Sequence, residues 1–409
     1  MHLILITMAI VSCIWAFFLL LPFLLTLAGR FRPERLPRQT VAGQAPDFAC
    51  IITAWRNETI AEALVESLLR QTWPHFHIYL VNDACSQSNW TIQHERLSVF
   101  YPDPALDLKI RSIDYAVQRF VRPHDFVVVF DADNVAHPRF LEEITTYLRA
   151  NLRAVQGQRR AKNLDTPYAC ADALGEFYKN WVERYMPWVL GSSAVISGSG
   201  MAVETNLYKA YLASPEIQLG QRQQRRMLQE DKILQNFLLR QDERIAWARN
   251  AVVYDEKVTS AQSVETQRSR WLFSYFQNVP NAWQLLTLGL RNRSWNQFLF
   301  GLVTIAPPMF IQLFGAFALA ALDAFVLPSM SLLLLAAVAV FALNILWVLW
   351  LSNVPPPVWR SLWTLPGFVF RQMRALGKMR DPDRHFEPTR HDRKVRIDEL
   401  LRDDASPET

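Results

Sequence analysis

The chemistry of this chain concentrates in one stretch, FVVVFDADN, residues Phe126 to Asn134. An unbroken apolar run leads straight into two carboxylates, Asp131 and Asp133, separated by one alanine. Such a run reads as a strand buried on both faces. Ending it with D-x-D puts two hard oxygen ligands at the strand's carboxyl end, where open α/β sheets bind ligands. Carboxylates so placed can grip Mg²⁺ or Mn²⁺ together with substrate phosphates. A plain turn would use the same residues, since Asp and Asn commonly terminate strands. Four further groups carry reactive types: Asp83 closing HIYLVND (77–83), the acid pair Glu230-Asp231 behind Gln229, the trio Gly198-Ser199-Gly200, and QRSRW from Gln267 to Trp271. Each has a bland reading too: a strand end, a solvated helix face, a turn and an amphipathic helix. No G-x-G-x-x-G fingerprint of a dinucleotide site occurs.

The elements that must hold these groups alternate. ACIITA (49–54) reads as a strand, followed by WRNE and a helical run from Thr59 to Arg70. The strand HIYLVND comes next, then an irregular loop. A helix from Leu108 to Phe120 leads into the FVVVFDAD strand. Phe140–Arg149 is predicted helical, AVQGQRR (154–160) a strand, and 168–190 an aromatic-rich helical stretch. VISGSGMAVE (195–204), a polar helix over 221–240 and the strand RIAWARNAVVYDEKV (244–258) complete the pattern. Strands alternating with helices predict an α/β fold with a mainly parallel sheet covered on both faces.

With 409 residues, 51% hydrophobic and 12% aromatic, the chain can build a large core. Its mean hydropathy is high for a chain with 20% charged residues, which suggests soluble and membrane parts averaged together. The net charge is only +5, and basic residues cluster beside apolar segments. That arrangement suits anionic lipid headgroups and argues against nucleic acid. The four cysteines, Cys13, Cys50, Cys85 and Cys170, form no C-x-x-C pair, so neither a zinc site nor a disulfide framework is expected.

Leu3 to Ala28 has no charged residue, and a helix of that length at ~1.5 Å per residue exceeds a ~30 Å hydrocarbon core. No Lys or Arg precedes it, and Arg30, Arg32, Arg35 and Arg38 follow, which reads as an anchor rather than a signal peptide. The positive-inside rule then leaves the N-terminus outside and the following domain in the cytoplasm, at the plasma (inner) membrane. Two further spans are predicted, roughly Phe298–Ala321 and Ser331–Leu351, with a break at Asp323–Pro328 that has no Lys or Arg and so faces outside. Trp271–Trp295 and Val358–Arg380 mix aromatics with cations, as helices lying at headgroup level do. The predicted organisation is therefore a membrane helix (1–29), a basic linker (30–46), a cytoplasmic domain (47–271), interfacial helices (272–296), two membrane helices (297–352), an interfacial segment (353–380) and a mobile charged tail (381–409).

Taken together, Asp83, Asp131-Ala132-Asp133, Glu230-Asp231 and Gln267-x-x-Arg270-Trp271, in that order beside membrane helices, resemble the family 2 glycosyltransferases. The likeness is closest to the membrane-embedded branch of cellulose, hyaluronan and poly-N-acetylglucosamine synthases. It covers about Asp47 to Trp271 and implies a Rossmann-like GT-A domain acting on a nucleotide-sugar. TAWRNE resembles the family's P-A-Y-N-E opening, which implies Ala54, Trp55 and Glu58 near the base and ribose, with Arg56 as an extra residue. By the same resemblance Asp83 reads the uracil imide, and Lys109 takes the place of a family lysine near the nucleotide, with Leu108 where the family has glycine. Asp133 becomes the main ligand of Mg²⁺ or Mn²⁺ and Asp131 a nucleotide or metal contact. Asp231 becomes the general base on the acceptor hydroxyl. Arg270 holds the pyrophosphate through its planar fork. Trp271 stacks on the acceptor sugar, with Glu230, Gln267, Gly198, Ser199 and Gly200 on the acceptor side. His137 could approach the metal, but a lone His past a strand is more often structural.

The resemblance implies an inverting hexosyltransferase using a UDP-sugar donor in polysaccharide synthesis. A carbohydrate or lipid-linked acceptor and membrane lipids are its implied partners. Three spans are too few for an export channel, so a polymer synthase would need a partner subunit or a homo-oligomer. The alternative is non-processive transfer of one sugar to a membrane lipid or lipid-linked oligosaccharide. A dead nucleotide-sugar sensor and a nucleotidyltransferase are the readings from other classes.

Overall fold

The computed structural model describes residues 2–34, 36, 45–86, 90–223, 229–377 and 395–405. Among these, eight strands form one sheet: β1 (Phe48–Trp55), β2 (Phe76–Asp83), β3 (Leu97–Phe100), β4 (Phe126–Asp131), β5 (Val135–Ala136), β6 (Ala154–Ala161), β7 (Met201–Glu204) and β8 (Ile245–Asp255). Their order is β3-β2-β1-β4-β7-β6-β8-β5. β2 and β4 flank β1 on opposite sides and both run parallel to it. The chain thus reverses direction of travel across the sheet at β1, and the crevice at the carboxyl ends of β1 and β4 is where such sheets take ligands.

The sheet is mixed rather than mainly parallel. β7 pairs antiparallel with both β4 and β6, and β5 pairs antiparallel with β8. β7 can enter between them because the chain turns sharply at Gly198 and Gly200, whose φ angles of 88° and 63° lie in the left-handed region that favours glycine. A Cβ on Gly200 would also stand 2.9 Å from Val253 Cγ2. β3 lies inside the segment read as irregular. Its residues are only half-buried, as befits an edge strand with one neighbour.

β1, β2 and β4 are buried along nearly their full length, and Leu64, Val65, Ile113, Ala116, Phe140 and Ile144 of the covering helices pack into the same core. Beneath the second half of the sheet lies a buried ionic network. Glu176 sits 3.0 Å from both Arg159 and Arg184 and 3.6 Å from Lys257, which in turn pairs with Asp255 at 2.9 Å. The helix carrying Glu176, Pro167–Lys179, passes through a π-helical turn at Asn180–Tyr185.

Three helices among the described residues are long and apolar enough to cross a membrane: His2–Arg30, Met309–Val326 and Pro328–Leu351. The second starts later than the hydropathy pattern predicts. Trp295–Ile305 is a separate helix, and Pro307-Pro308 breaks the chain before Met309. The three pack on one another. Ser12 Oγ donates to Asp323 Oδ2 at 2.6 Å, and Trp15 Nε1 donates to the Gln312 carbonyl at 2.7 Å. The predicted interfacial stretches are helical: Ala261–Asn292, which carries QRSRW, and Leu365–Gly377. Arg35, Arg38, Lys378 and Arg380 lie outside the described residues, as does most of the tail. The tail's Ile397–Ala405 is a docked helix rather than a mobile end. Its Ile397 and Leu400 pack on Ala63, Val135, Val252 and Tyr254, and Asp398 pairs with Arg70 at 2.7 Å.

Burial opposes ionisation of Glu176, but Arg159, Lys257 and Arg184 outweigh it and hold the carboxyl well below its ordinary range. A depressed carboxyl contributes stability that is present above the unfolded value of ~4.3 and lost as pH falls through the folded value. Glu176→Gln leaves three buried cations without their shared carboxylate, a loss of about 3–5 kcal/mol for such a break. Thermal unfolding of the purified chain at neutral pH should show a clearly lowered midpoint. An unchanged midpoint would remove the network from the stability argument.

Candidate active site

Strand register brings the reactive residues together. Trp55 lies opposite Asp83 on β2, and Thr53 opposite Asp131 on β4, so three distant segments end along one edge of the sheet. Asp83 is buried, and its two carboxylate oxygens accept from the backbone N–H groups of Leu106 and Asp107, each at 2.7 Å. Asp107 Oδ1 accepts from Trp55 Nε1 at 3.0 Å, and the Arg56 guanidinium covers the Trp55 ring at 4.1 Å. Asp83 and Trp55 therefore first fix the loop that leads into the Lys109–Val117 helix. Ala54 is buried within β1, and Glu58 is buried within reach of the Tyr101 hydroxyl.

The DADN turn is locked by its last residue. Asn134, almost wholly buried, accepts from the Asp131 N–H at 3.1 Å and donates to Asp133 Oδ1 at 3.3 Å. Lys162 donates to the Asp133 carbonyl at 3.1 Å. Burial pulls Lys162 below the ordinary lysine range against the raising effect of Asp133, Glu256 and Asp255. His137 Nδ1 accepts from the Arg139 N–H at 3.2 Å, a local structural contact.

Lys109 joins the two halves. Its Nζ donates to Asp131 Oδ1 at 2.7 Å and to the Gly198 carbonyl at 3.3 Å, and sits 3.3 Å from Glu230 Oε1. Burial opposes the charge, but Asp131, Glu230 and Asp231 raise Lys109 well above its ordinary range. Asp231 faces Gly198, where a Cβ would stand 3.8 Å from Asp231 Oδ2. Both acids sit in the first turn of the helix Glu230–Arg240, where the helix dipole favours negative charge. Gln229 before them takes φ 58° and is tied to the long helix by Ser274 and Gln277. Of the predicted Gly198-Ser199-Gly200 lining only Gly198 faces this site; Ser199 and Gly200 are buried in the turn into β7.

QRSRW lies on the long helix. Gln267 Oε1 is buried with no hydrogen-bond partner among the described residues. Burial pulls Arg270 below the ordinary arginine range. The Trp271 ring is already engaged by Lys179 at 4.8 Å and Arg268 at 4.4 Å, and Arg268 is paired with Asp172. An open platform for a sugar, as the motif implies for Trp271, is thus narrowed by two cations.

A profile of glycosyltransferase-like family 2 matches residues 46–274. The chain belongs to this family. Among solved structures, the mannosyltransferase PcManGT from Pyrobaculum calidifontis, in complex with GDP-Man and Mn²⁺, is similar over 91% of this chain and 99% of its own, with 15% identity and a TM-score of 0.56. TarS from S. aureus (residues 1–349) is similar over 76% of this chain and 93% of its own, with 15% identity and a TM-score of 0.39. No curated protein sequence matches. The fold of this glycosyltransferase is therefore GT-A, the fold class its sequence predicts.

The backbone of the transferase marks the same site. Eight described non-glycine residues have positive φ. Asn151, Asp242, Arg293 and Asn353 follow helix ends, where such a cap is ordinary. The other four, Arg56, Ala84, Asp107 and Gln229, lie in the turns around the crevice, the kind of place where strain is retained for function. Asp131 and Asp133 supply the hard oxygens a divalent ion needs, and no cluster of three or more His, Cys, Asp or Glu suited to a metal occurs among the described residues. That donor set fits Mg²⁺ or Mn²⁺ completed by diphosphate and water, which such ions use more than all-protein cages.

Sequence reasoning missed Asn134, Arg159, Lys162 and Arg268. Asn134 and Arg268 sit inside quoted motifs and were open to notice. Arg159, which donates to the Ser197 carbonyl at 3.0 Å, is one arginine among many until the sheet is assembled. Lys109→Met removes a cation that touches both Asp131 and Glu230. Turnover should fall by ~10²-fold or more, the scale for losing one preorganised electrostatic group. Circular dichroism should be unchanged. Because Lys109 stays charged well past ~10.4, the wild-type pH–rate profile should carry no lysine limb between about pH 6 and 9.

Proposed function

We propose that this glycosyltransferase moves one sugar, with inversion, from a nucleoside-diphosphate-sugar to a hydroxyl of a membrane-anchored acceptor at the cytoplasmic face. The observation that carries it is the Lys109 ammonium shared between Asp131 at the sheet edge and the Glu230-Asp231 pair. It couples a carboxylate suited to the donor phosphates to one suited to the acceptor. Asp231 takes the proton from the attacking hydroxyl, whose oxygen displaces the nucleoside diphosphate in line. A single in-line displacement of this kind inverts the configuration of the sugar carbon that is attacked. Arg270 holds the departing diphosphate, whose charge restores what burial takes from the guanidinium. Asp131 and Asp133 would hold Mg²⁺ or Mn²⁺, which when bound supplies Lewis-acid stabilisation of the leaving group.

The membrane helices support single addition over secretion of a polymer. They lie directly against one another, with Leu19, Ala316, Ala320, Leu334, Ala337 and Phe341 filling the space between them. A polymer channel would require further copies or a partner. Arg30 lies over the Trp347 and Trp350 rings at 5.2 and 5.8 Å, as an interfacial belt on the cytoplasmic side requires. The UDP expectation is widened to GDP-sugars by the likeness to a mannosyltransferase that holds GDP-Man.

Purified chain in lipid is incubated with Mg²⁺ or Mn²⁺ and a panel of UDP- and GDP-sugars. Release of nucleoside diphosphate and product size are followed together. One sugar should give release that EDTA abolishes, with a single lipid-soluble product. A ladder would favour the polymer synthase, and no release with any sugar would end the transferase chemistry proposed here. Asp231→Asn should lower kcat by roughly 10²–10⁴-fold while donor binding persists. A sensor or scaffold would tolerate that change.

A further inference from the structure

A cavity of about 360 Å³ lies away from the crevice, lined by Arg32, Pro33, Trp188, Val189, Gly191 and Arg244. Arg244 immediately precedes β8, whose last residue, Asp255, is near the DADN turn. At ~3.3 Å per strand residue the cavity is on the order of 30 Å from the catalytic end. It is not part of the donor site.

Its position is at the foot of the first membrane helix. Gly29 packs on Met186, and the chain turns through Arg32 immediately after Arg30. Trp295, half-exposed, donates from Nε1 to the Leu190 carbonyl at 2.8 Å beside the cavity. Tryptophans and arginines at a span's cytoplasmic end mark the headgroup level. The lining is itself amphipathic: two guanidinium groups beside Pro33, Trp188 and Val189. Arg244 stacks over Trp188 at 4.5 Å and donates to the Ser192 carbonyl at 3.3 Å. Neither Arg32 nor Arg244 forms an ion pair with a carboxylate among the described residues. The neighbouring Glu34 spends Oε1 on the Trp188 indole and the Tyr147 hydroxyl, both at 2.9 Å. Burial lowers Arg244, so an anion there would be favoured.

We propose that this cavity binds the phosphodiester headgroup of an anionic phospholipid, with Arg32 and Arg244 on the phosphate and the acyl chains left in the bilayer. The phosphate fits between two planar forks, and its glycerol end meets the Trp188 and Pro33 surface. A net negative headgroup is preferred, because a choline cation would meet like charge. The ligand is a structural lipid, distinct from the acceptor, and the site orients the catalytic domain against the membrane.

The test titrates dihexanoyl phosphatidylglycerol, dihexanoyl phosphatidylcholine and glycerol 3-phosphate into the full chain in non-ionic detergent, with binding read by native mass spectrometry. Phosphatidylglycerol should bind tightest. Arg32→Gln and Arg244→Gln should each weaken it about tenfold, the scale of one lost charge-assisted contact. Arg32 is exposed at a turn, so Arg32→Gln should fold and turn over donor as wild type even if Arg244→Gln does not fold. Equal binding of phosphatidylcholine, equal binding of glycerol 3-phosphate, or wild-type binding by Arg32→Gln would each overturn the proposal.

Discussion

One ammonium reconciles three carboxylates. Asp131 ends a strand, Glu230 and Asp231 open a helix far along the chain, and without Lys109 their like charges would face one another uncompensated. Burial disfavours the lysine's charge, yet the acids around it more than offset the cost. The crevice thus has its shape before any substrate arrives, which is what electrostatic preorganisation demands.

The acid pair is held from behind by the long helix Ala261–Asn292. Gln229, in a left-handed conformation, is fastened to Ser274 and Gln277, a turn or so beyond Trp271. A second route runs through the buried ions. Arg159 holds the Ser197 carbonyl beside Gly198 and also pairs with Glu176, whose helix carries Tyr178 and runs through a π-helical turn containing Trp181 to Met186. Those side chains pack with Leu19 and Phe341 of the three-helix bundle and with Leu299 of the Trp295–Ile305 helix. Single-turn π segments often sit at functional sites. Here the turn occurs where one helix must serve both the site's charge network and the bundle.

The strands β1, β2 and β4 were legible because they are short apolar runs ending in polar residues, and burial on both faces demands that pattern. The candidates Asp131, Asp133, Asp231 and Arg270 stood out through the order of their motifs, and the fold gathers Asp131 and Asp231 about Lys109. What stayed hidden depends on non-local pairing. Nothing in MAVE says that it runs antiparallel between β4 and β6, and nothing in LSVF distinguishes a half-buried edge strand from loop. Ser199 and Gly200 looked like ligand backbone because Gly-Ser-Gly permits close approach, but what approaches Gly200 is Val253. Hydropathy ran Trp295–Ile305 into the second span because it averages over Pro307-Pro308, where the backbone loses its donors. The tail read as mobile from its charge, yet Ile397 and Leu400 are spaced to share one helix face and find apolar partners behind β5.

The covering of QRSRW bears on how an acceptor reaches Asp231. The Leu365–Gly377 helix lays Phe368 against Val264 and near the Arg268 guanidinium, and Val369 and Met373 against Leu272 and Phe310. Phe310 belongs to the second membrane helix, so the motif, the surface helix and the bundle share one apolar seam. On the proposed reading an acceptor held by its lipid tail keeps that tail in the bilayer while its hydroxyl enters the crevice. Anchoring at the same surface converts a three-dimensional search into a local one, and a fixed approach supplies part of the orientation that in-line displacement requires. Beside that seam the Trp271 ring is covered by Lys179 and Arg268. On the same proposed reading, Trp271 would seat the helix at the headgroup level, and the cations stacked on its ring would hold the motif there.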